Sequence, residues 1–214
     1  PPGKEEDPFA YPPPQRHARQ TLSGGVPPPP CCSRRVGRIS VCCDCAPYAP
    51  TSPPTPTLRY ACVVGPCWPM TLVTPTLIAV PTALVLWGFV RNVPELCAAG
   101  GALAAFVLGA YACTAFRDPG VVPRSSEPTA PNQIFDENAK AYRPRSARYD
   151  YESETLLMDI DHFCPWVGTT VARNNLVAFR VFTNSLCVLI LFVIAVAVWS
   201  VASGNGSLHL SLAP

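Results

Sequence analysis

Three long apolar runs dominate the chain after residue 68, and they carry no charged residues. They extend over residues 69–90, 96–116 and 181–202. An α-helix of about 20 residues crosses the ~30 Å hydrocarbon layer of a bilayer. Uncharged runs of this length are typical of membrane-spanning helices rather than of buried helices in a soluble domain. The pattern therefore predicts an all-α polytopic membrane protein with three visible transmembrane helices.

The segment before the first span has a different character, because it is rich in proline. Fifteen of the 27 prolines fall between Pro1 and Pro56, and we find no helical or strand periodicity there. A segment of this composition buries too little apolar surface to offset its ordering entropy. We expect residues 1–58 to form a disordered tail, in part with polyproline II conformation.

Basic residues are distributed unequally among the connecting segments, and this predicts the topology. Arginines precede the first span, and eight Lys and Arg residues lie in the loop 117–180, whereas none follows the third span. The positive-inside rule places the N-terminal tail and the 117–180 loop in the cytoplasm and residues 203–214 in the lumen. Because the cytoplasm is reducing, we expect lone cysteines of the cytoplasmic segments to be thiols and not disulfides.

Composition excludes some classes of function. Only 14% of the residues are charged, against about 25% in a soluble domain. The net charge of +2 is too small to indicate a nucleic-acid partner. We therefore expect the lipid bilayer, and not nucleic acid, to be the main non-protein environment of the chain.

One short cluster carries chemistry, at residues 161–166 (Asp-His-Phe-Cys-Pro-Trp). A thiolate is the working nucleophile of a cysteine, and a neighbouring imidazole can accept its proton. A carboxylate can orient that imidazole and stabilise its charged form. Residues two apart do not share a helical face, so Cys164 and His162 require a turn or an extended segment. On these grounds alone, an inert cysteine beside an unrelated histidine remains the alternative.

The cluster resembles the signature of the DHHC-type protein S-acyltransferases, the palmitoyltransferase family. Residues 161–168 match its Asp-His-His-Cys-Pro-Trp core with one change, and residues 118–120 match its Asp-Pro-Gly motif. Asn175 and Phe179 match the Asn-x-x-x-Phe pattern that follows the core. The order of two spans, a motif-bearing loop and a third span is also similar to that of the family. The resemblance covers roughly residues 60 to 205 and is specific, because motif, position and topology coincide.

The resemblance implies a function and assigns roles. Cys164 would be the nucleophile that carries the acyl group, His162 the general base and acid, and Asp161 the residue that orients His162. The co-substrate would be an acyl-CoA such as palmitoyl-CoA, and the acyl group would pass to cysteines near the membrane in protein substrates. The remaining candidates are Trp166, Arg145, Arg148 and Arg173 for substrate binding, and Asp118, Pro119, Gly120, Asn175 and Phe179 as structural motif residues.

The chain departs from the family at the metal ligands. Members of the family fold this loop around two zinc ions, but residues 117–180 contain only one cysteine, Cys164, and one histidine, His162. Structural zinc sites need four ligands, almost always Cys or His. Phe163 replaces the second histidine of the motif, and Thr170 stands where the family has a zinc-binding cysteine. We expect no zinc and no other bound cofactor.

Two interpretations of this departure remain open. The positions that resemble metal ligands are lost while the acid, the base and the nucleophile remain, which favours a metal-free enzyme. The alternative is a catalytically inactive membrane scaffold that binds partners. Either protein would be a multi-pass protein of the Golgi, the endoplasmic reticulum or the plasma membrane. The family usually has a fourth span, so we expect the sequence to be a fragment.

Overall fold

The computed structural model describes residues 34–43, 60 and 62–203. Three helices account for nearly half of them: α1 (Met70–Val90), α2 (Pro94–Phe116) and α3 (Leu176–Ala202). All three are long and apolar enough to cross a membrane. The three predicted spans are therefore present as helices. The other parts of the predicted tail and the predicted lumenal segment lie outside the described residues.

The helices pack into a bundle whose contacts are apolar. Ile78 on α1, Val107 on α2, and Phe182 and Leu189 on α3 are buried together. Many other large apolar residues of the helices face outward, among them Trp87, which is 70% exposed. Outward-facing apolar side chains suit a hydrocarbon solvent and are unusual on this scale at a water-facing surface.

The third helix begins earlier than the sequence predicts. Its first residue is Leu176 rather than residue 181, so the helix includes Phe179 and Arg180. The sequence prediction began the span at residue 181, directly after the charged residue Arg180. Arg180 is exposed, and an exposed arginine on a terminal turn can keep its guanidinium in water while its stem covers apolar surface.

The prediction of an all-α protein is wrong, because short strands surround the motif in the 117–180 loop and precede α1. Each strand has at most five residues, which is too short for a periodic signal to appear in the sequence. The strands form four small antiparallel sheets, in the orders β1-β2-β3, β4-β8-β7, β5-β6 and β9-β10. In chain order they are β1 Arg34–Val36, β2 Ile39–Cys43, β3 Cys62–Val64, β4 Val121–Val122, β5 Gln133–Asp136, β6 Ala141–Pro144, β7 Ala147–Asp150, β8 Thr155–Met158, β9 His162–Cys164 and β10 Thr169–Val171.

Strand β8 forms the centre of the loop that connects α2 to α3. It pairs with β4 on one side and with β7 on the other. Leu157 packs against Val121 in one apolar cluster, while Leu156 and Met158 belong to another that includes Val122. All four residues of β8 are buried. The loop therefore folds around a strand that is covered on both faces.

The prediction of disorder for residues 1–58 is wrong for residues 34–43. Strands β1 and β2 form a hairpin that pairs with β3. Ile39 and Val41 are buried against Leu157 of the connecting loop. The backbone amide of Arg38 donates to the Ser153 carbonyl at 2.7 Å. The high proline content around it concealed a short segment that has tertiary apolar contacts to offset its ordering cost.

The cysteines do not all meet the expectation of free thiols. Cys42 on β2 is disulfide-bonded. The expectation concerned lone cysteines, whereas Cys42 belongs to a cluster of cysteines that precedes the first span. Cysteines with free thiols include Cys62, Cys67, Cys97, Cys113, Cys164 and Cys187.

Candidate active site

The cysteine-histidine motif lies on a β-hairpin. Strand β9 pairs with β10 so that Cys164 is opposite Thr169 and His162 is opposite Val171. Successive side chains of a strand point to opposite faces. His162 and Cys164 therefore share one face of the hairpin, and Phe163 lies on the other. This extended segment meets the requirement that the sequence sets, because the base and the nucleophile cannot share a helical face at this spacing.

The acid-base pair of the motif is assembled. Nδ1 of His162 and Oδ2 of Asp161 are 2.8 Å apart, and both side chains are about half exposed. A carboxylate at Nδ1 favours the tautomer whose Nε2 is the acceptor. The Phe179 ring packs edge-on against the imidazole with centroids 5.1 Å apart. Asp161 and Phe179 together restrict the orientation of the base.

Cys164, the candidate nucleophile, faces the three helices. Cys164 is only 8% exposed, and it belongs to the apolar cluster that contains Ile78, Tyr111, Phe182 and Leu189. The thiol is thus located where the hairpin meets the bundle. Among the described residues, no hydrogen bond joins His162 to Cys164, so direct proton transfer needs a small movement of either side chain. Catalytic hydrogen bonds often tighten only when substrate binds.

Two membrane helices hold the turn that follows the nucleophile. The hydroxyl of Thr74 on α1 donates to the Trp166 carbonyl at 2.6 Å, and that of Tyr111 on α2 donates to the same oxygen at 3.3 Å. The amide of Cys67 donates to the Gly168 carbonyl at 3.2 Å. Sequence reasoning missed Thr74 and Tyr111. The available signal was that isolated polar residues within a span usually face the bundle interior and have a role there.

The side chain of Trp166 points away from these anchors and is 58% exposed. Its backbone is fixed at the start of α1 and near the end of α2, which brings the ring to the end of the bundle. Tryptophan is enriched at the interface between membrane and water. The role of Trp166 in substrate binding stays a prediction.

The aspartate of the Asp-Pro-Gly motif closes the turn after α2. Oδ1 of Asp118 accepts hydrogen bonds from the amides of Gly120 and Val121 at 2.8 and 2.9 Å. Oδ2 accepts from the amide of Tyr60 at 3.3 Å. The Pro119 carbonyl accepts from the Asn174 amide at 3.2 Å. The motif therefore ties α2 to the segment before β3 and to the segment before α3.

Asn175 connects the same region to the catalytic hairpin, and it is completely buried. Its Oδ1 accepts from the Ala172 amide at 2.8 Å. Its Nδ2 donates to the carbonyls of Thr114 on α2 and Thr170 on β10, at 3.3 and 3.1 Å. One side chain thus links the nucleophile's hairpin to two membrane helices, which is consistent with the structural role assigned from the sequence.

The three candidate arginines differ in their surroundings. Arg145 and Arg148 are exposed in and beside β7, and no ion pair of theirs occurs within the described ranges. Nε of Arg173 lies 2.6 Å from Oδ2 of Asp159, so part of its guanidinium is already engaged. Arg124, which also lies in this loop, donates to the Glu154 carbonyl at 2.8 Å.

The residues present do not fit the zinc sites that the family resemblance implies. No group of three or more His, Cys, Asp or Glu side chains in the described part of the chain could hold a metal ion. At position 170 the hydroxyl of Thr170 donates instead to Oδ2 of Asp150 at 2.7 Å. A threonine hydroxyl that is engaged with a carboxylate is not the thiolate or imidazole that structural zinc requires.

A cavity of about 640 Å³ lies at the end of α2, away from the motif. It is bordered by Cys113, Phe116, Arg117, Asp118 and Asn174, among others. None of its lining residues belongs to the Asp161, His162 and Cys164 group. Size alone therefore does not make this cavity the site of the chemistry.

Comparisons with known proteins match the part of the chain that contains the hairpin. The family model described as DHHC palmitoyltransferase matches residues 132–207. Palmitoyltransferase ZDHHC14 of Danio rerio is 30% identical over 135 residues, which cover 48% of this chain and 26% of the relative. The Homo sapiens ZDHHC14 is 29% identical over 139 residues, which cover 50% of this chain and 28% of the relative. The Homo sapiens palmitoyltransferase ZDHHC8 is 28% identical over 134 residues, which cover 52% of this chain and 18% of the relative.

The chain spans about a quarter of the length of the ZDHHC14 relatives that it matches. Residues 132–207, which match the family model, contain the hairpin with Asp161, His162 and Cys164 together with all of α3. The chain is therefore similar to the DHHC-type palmitoyltransferases over residues 132–207, and it has three helices that are long and apolar enough to span a membrane.

Proposed function

We propose that the protein is a membrane-bound S-acyltransferase that moves a palmitoyl or similar long-chain acyl group from acyl-CoA to a cysteine of a protein substrate. One observation carries the proposal. His162 and Cys164 lie on the same face of strand β9, and Asp161, the residue directly before the strand, is hydrogen-bonded to His162. An inactive scaffold has no need for this arrangement.

The reaction has two steps with one acyl-enzyme intermediate. His162 accepts the Cys164 proton, the thiolate attacks the thioester carbonyl of acyl-CoA, and CoA leaves as a thiol with the proton that His162 returns. In the second step His162 deprotonates the substrate cysteine, which attacks the Cys164 thioester. The acyl–sulfur bond to Cys164 breaks, and its thiol is restored by the same proton. The products are CoA and an S-acylated protein.

The surroundings of Cys164 suit a lipid substrate. The sulfur lies beside an apolar cluster of all three helices, and transfer of each methylene of an acyl chain into such surroundings is favourable by about 0.8 kcal/mol. The thioester end of the chain would then meet Cys164 where the water-exposed pair Asp161 and His162 is within reach. Trp166 would lie at the entrance.

The remaining assignments follow from this arrangement. Arg145, Arg148 and Arg173 would contact the CoA phosphates through charge-assisted hydrogen bonds. The hairpin would face the cytoplasm, where acyl-CoA and membrane-proximal substrate cysteines occur, in the Golgi, the endoplasmic reticulum or the plasma membrane. No zinc ion or other resident cofactor would take part.

Acyl-enzyme formation tests the proposal. The full chain in lipid nanodiscs is incubated with labelled palmitoyl-CoA, and the modified cysteines are mapped by mass spectrometry before and after hydroxylamine. We expect a hydroxylamine-sensitive label at Cys164 that Cys164→Ser removes. Cys187→Ser is the matched control, because Cys187 is a free thiol on α3 that faces outward, and it should retain the label at Cys164. His162→Ala should slow labelling by about 10²–10⁴-fold.

Two outcomes would contradict the proposal. One is an absence of label at Cys164 when a relative labels under the same conditions. The other is labelling that persists at the same rate without His162. Site mapping is preferable to removal of residues 1–58, because that deletion would also remove β1 and β2, which pack against Leu157.

A further inference from the structure

The catalytic hairpin is attached to the rest of the connecting loop through the face opposite Cys164. Thr170 lies on β10 opposite Phe163, and its hydroxyl donates to Oδ2 of Asp150 at 2.7 Å. Thr170 is 1% exposed and Asp150 is 8% exposed. A buried hydrogen bond to a carboxylate is among the stronger ones in proteins, because the acceptor is charged and water does not compete.

This hydrogen bond joins two separate sheets. Asp150 ends β7 in the sheet β4-β8-β7, whereas Thr170 belongs to the hairpin β9-β10. Oδ2 of Asp150 also accepts from the Ser153 amide at 3.1 Å, which fixes the carboxylate in the turn that follows β7. The backbone carbonyl of Thr170 accepts from Nδ2 of Asn175 at 3.1 Å. Thr170 is therefore held from its side chain and its main chain at once.

The location of the Asp150–Thr170 hydrogen bond indicates which interaction it replaces. The chain has Thr170 and Phe163 at positions that resemble metal ligands in the family, and the residues present do not fit a metal site. A bound metal would cross-link the hairpin to the neighbouring part of the loop. The Asp150–Thr170 bond makes a cross-link of this kind with neutral and acidic oxygen atoms.

We propose that the Asp150–Thr170 hydrogen bond positions the catalytic hairpin in place of a metal ion, so that Asp150 and Thr170 are positioning residues for Cys164. The effect on the reaction rests on the proposed acyltransferase function. The effect on the hairpin does not, because it concerns the order of β9 and β10 alone. These two consequences can be measured separately.

Two variants of Thr170 isolate the hydroxyl. Thr170→Val keeps the shape of the side chain and removes the donor, and Thr170→Ser keeps the donor and removes a methyl group. Both are measured in the full chain in lipid nanodiscs. The first measurement is hydrogen exchange of the hairpin amides, including Asp161, which donates to the Val171 carbonyl, and Gly168, which donates to the Cys164 carbonyl.

The second measurement is single-turnover acylation of Cys164 by palmitoyl-CoA. In Thr170→Val we expect hairpin amide exchange to accelerate about tenfold or more, as for loss of a hydrogen bond to a charged group. The saturating rate of acylation should fall by a similar factor, with the half-saturating palmitoyl-CoA concentration unchanged. Thr170→Ser should remain near the wild type in both measurements.

The proposal would be overturned if the hairpin amides of Thr170→Val exchanged at the wild-type rate. It would also be overturned if Thr170→Val and Thr170→Ser had equal defects in amide exchange and in acylation. Should Thr170→Val not fold, Asp150→Asn decides by the same measurements, and wild-type values there would also overturn it. Faster hairpin exchange of the wild type after treatment with 1,10-phenanthroline would show that a metal holds the hairpin. If wild-type Cys164 takes no label, the proposed function fails, while the exchange rates still decide whether the bond orders the hairpin.

Discussion

The carbonyl of Trp166 offers a sharp test of how the membrane helices position the nucleophile. Thr74 and Tyr111 donate to this one oxygen from two different helices, and both residues are buried. Thr74→Val and Tyr111→Phe each remove one hydroxyl without a large change of volume. The two single variants and the double variant form a cycle that measures the coupling between α1 and α2 through the hairpin turn.

The distances predict unequal effects. The Thr74 bond is 2.6 Å and the Tyr111 bond is 3.3 Å, so we expect losses of about 1 and about 0.5 kcal/mol. After one substitution the carbonyl keeps a partner. After both it loses the two hydroxyls together at a partly buried position, and an unsatisfied acceptor there costs about 1 kcal/mol, the lower end of the range for buried groups. The double variant should therefore lose about 1 kcal/mol more than the sum of the single variants.

The assay combines a global and a local measurement in detergent micelles. Apparent melting temperature follows the fold, and the alkylation rate of the Cys164 thiol follows the exposure of the nucleophile beside this turn. Thr76→Val is the matched control, because the Thr76 hydroxyl donates at 2.7 Å to the Leu72 carbonyl of its own helix. Equal effects of Thr74→Val and Thr76→Val, or simple additivity in the double variant, would refute the reasoning.

Three further outcomes follow from other parts of the loop. Burial alone would raise the pKa of Asp136, but backbone amides and the Arg143 guanidinium outweigh it and hold the pKa below its usual value. The stabilisation is thus full above the unfolded-state pKa of about 4 and is lost as pH falls through the folded value, so acid unfolding in Asp136→Asn should be less steep than in the wild type. Gly168 has φ +79°, and a Cβ there would lie 2.7 Å from Thr71 Cγ2, so Gly168→Ala should lower the melting temperature and Gly109→Ala, which meets no atom within 4 Å, should not. Elemental analysis of the purified chain should find less than one zinc per molecule, and one or two ions that resist a chelator would contradict the metal-free interpretation.

The long elements of the fold could be predicted from the sequence, whereas the short strands could not. The helices could be predicted because uncharged runs of about 20 residues have few alternatives in proteins. Strand β8 could not, because all of its residues are buried and it therefore lacks the alternation of apolar and polar positions that marks a strand. The hairpin of β1 and β2 was missed for a different reason: its order comes from contacts with Leu157, far away in the sequence.

The candidate site shows the same division between local and distant information. The group of Asp161, His162 and Cys164 was predictable because the three residues lie within four consecutive positions and their chemistry is distinctive. Thr74 and Tyr111 were not, because each is a single polar residue in an apolar run, and nothing local shows that both reach the Trp166 carbonyl. Asp150 was not singled out from the sequence either, yet it is buried and its carboxylate accepts a hydrogen bond from Thr170.

Alternation along two short strands explains how the ligand-like positions could change while the chemistry stayed. His162 and Cys164 lie on one face of the hairpin, and Phe163 and Thr170, which are paired across it, lie on the other. Side chains on opposite faces of a strand have different neighbours, so substitutions on the second face leave the contacts of His162 and Cys164 unaltered provided the hairpin keeps its place. The hydrogen bond from Thr170 to Asp150 supplies that condition on the very face where the changes occurred. Loss of ligand-like residues is therefore compatible with a reactive Cys164 thiol. The hydrogen bond between Thr170 and Asp150 restrains the hairpin from one face, and His162 and Cys164 lie on the other face.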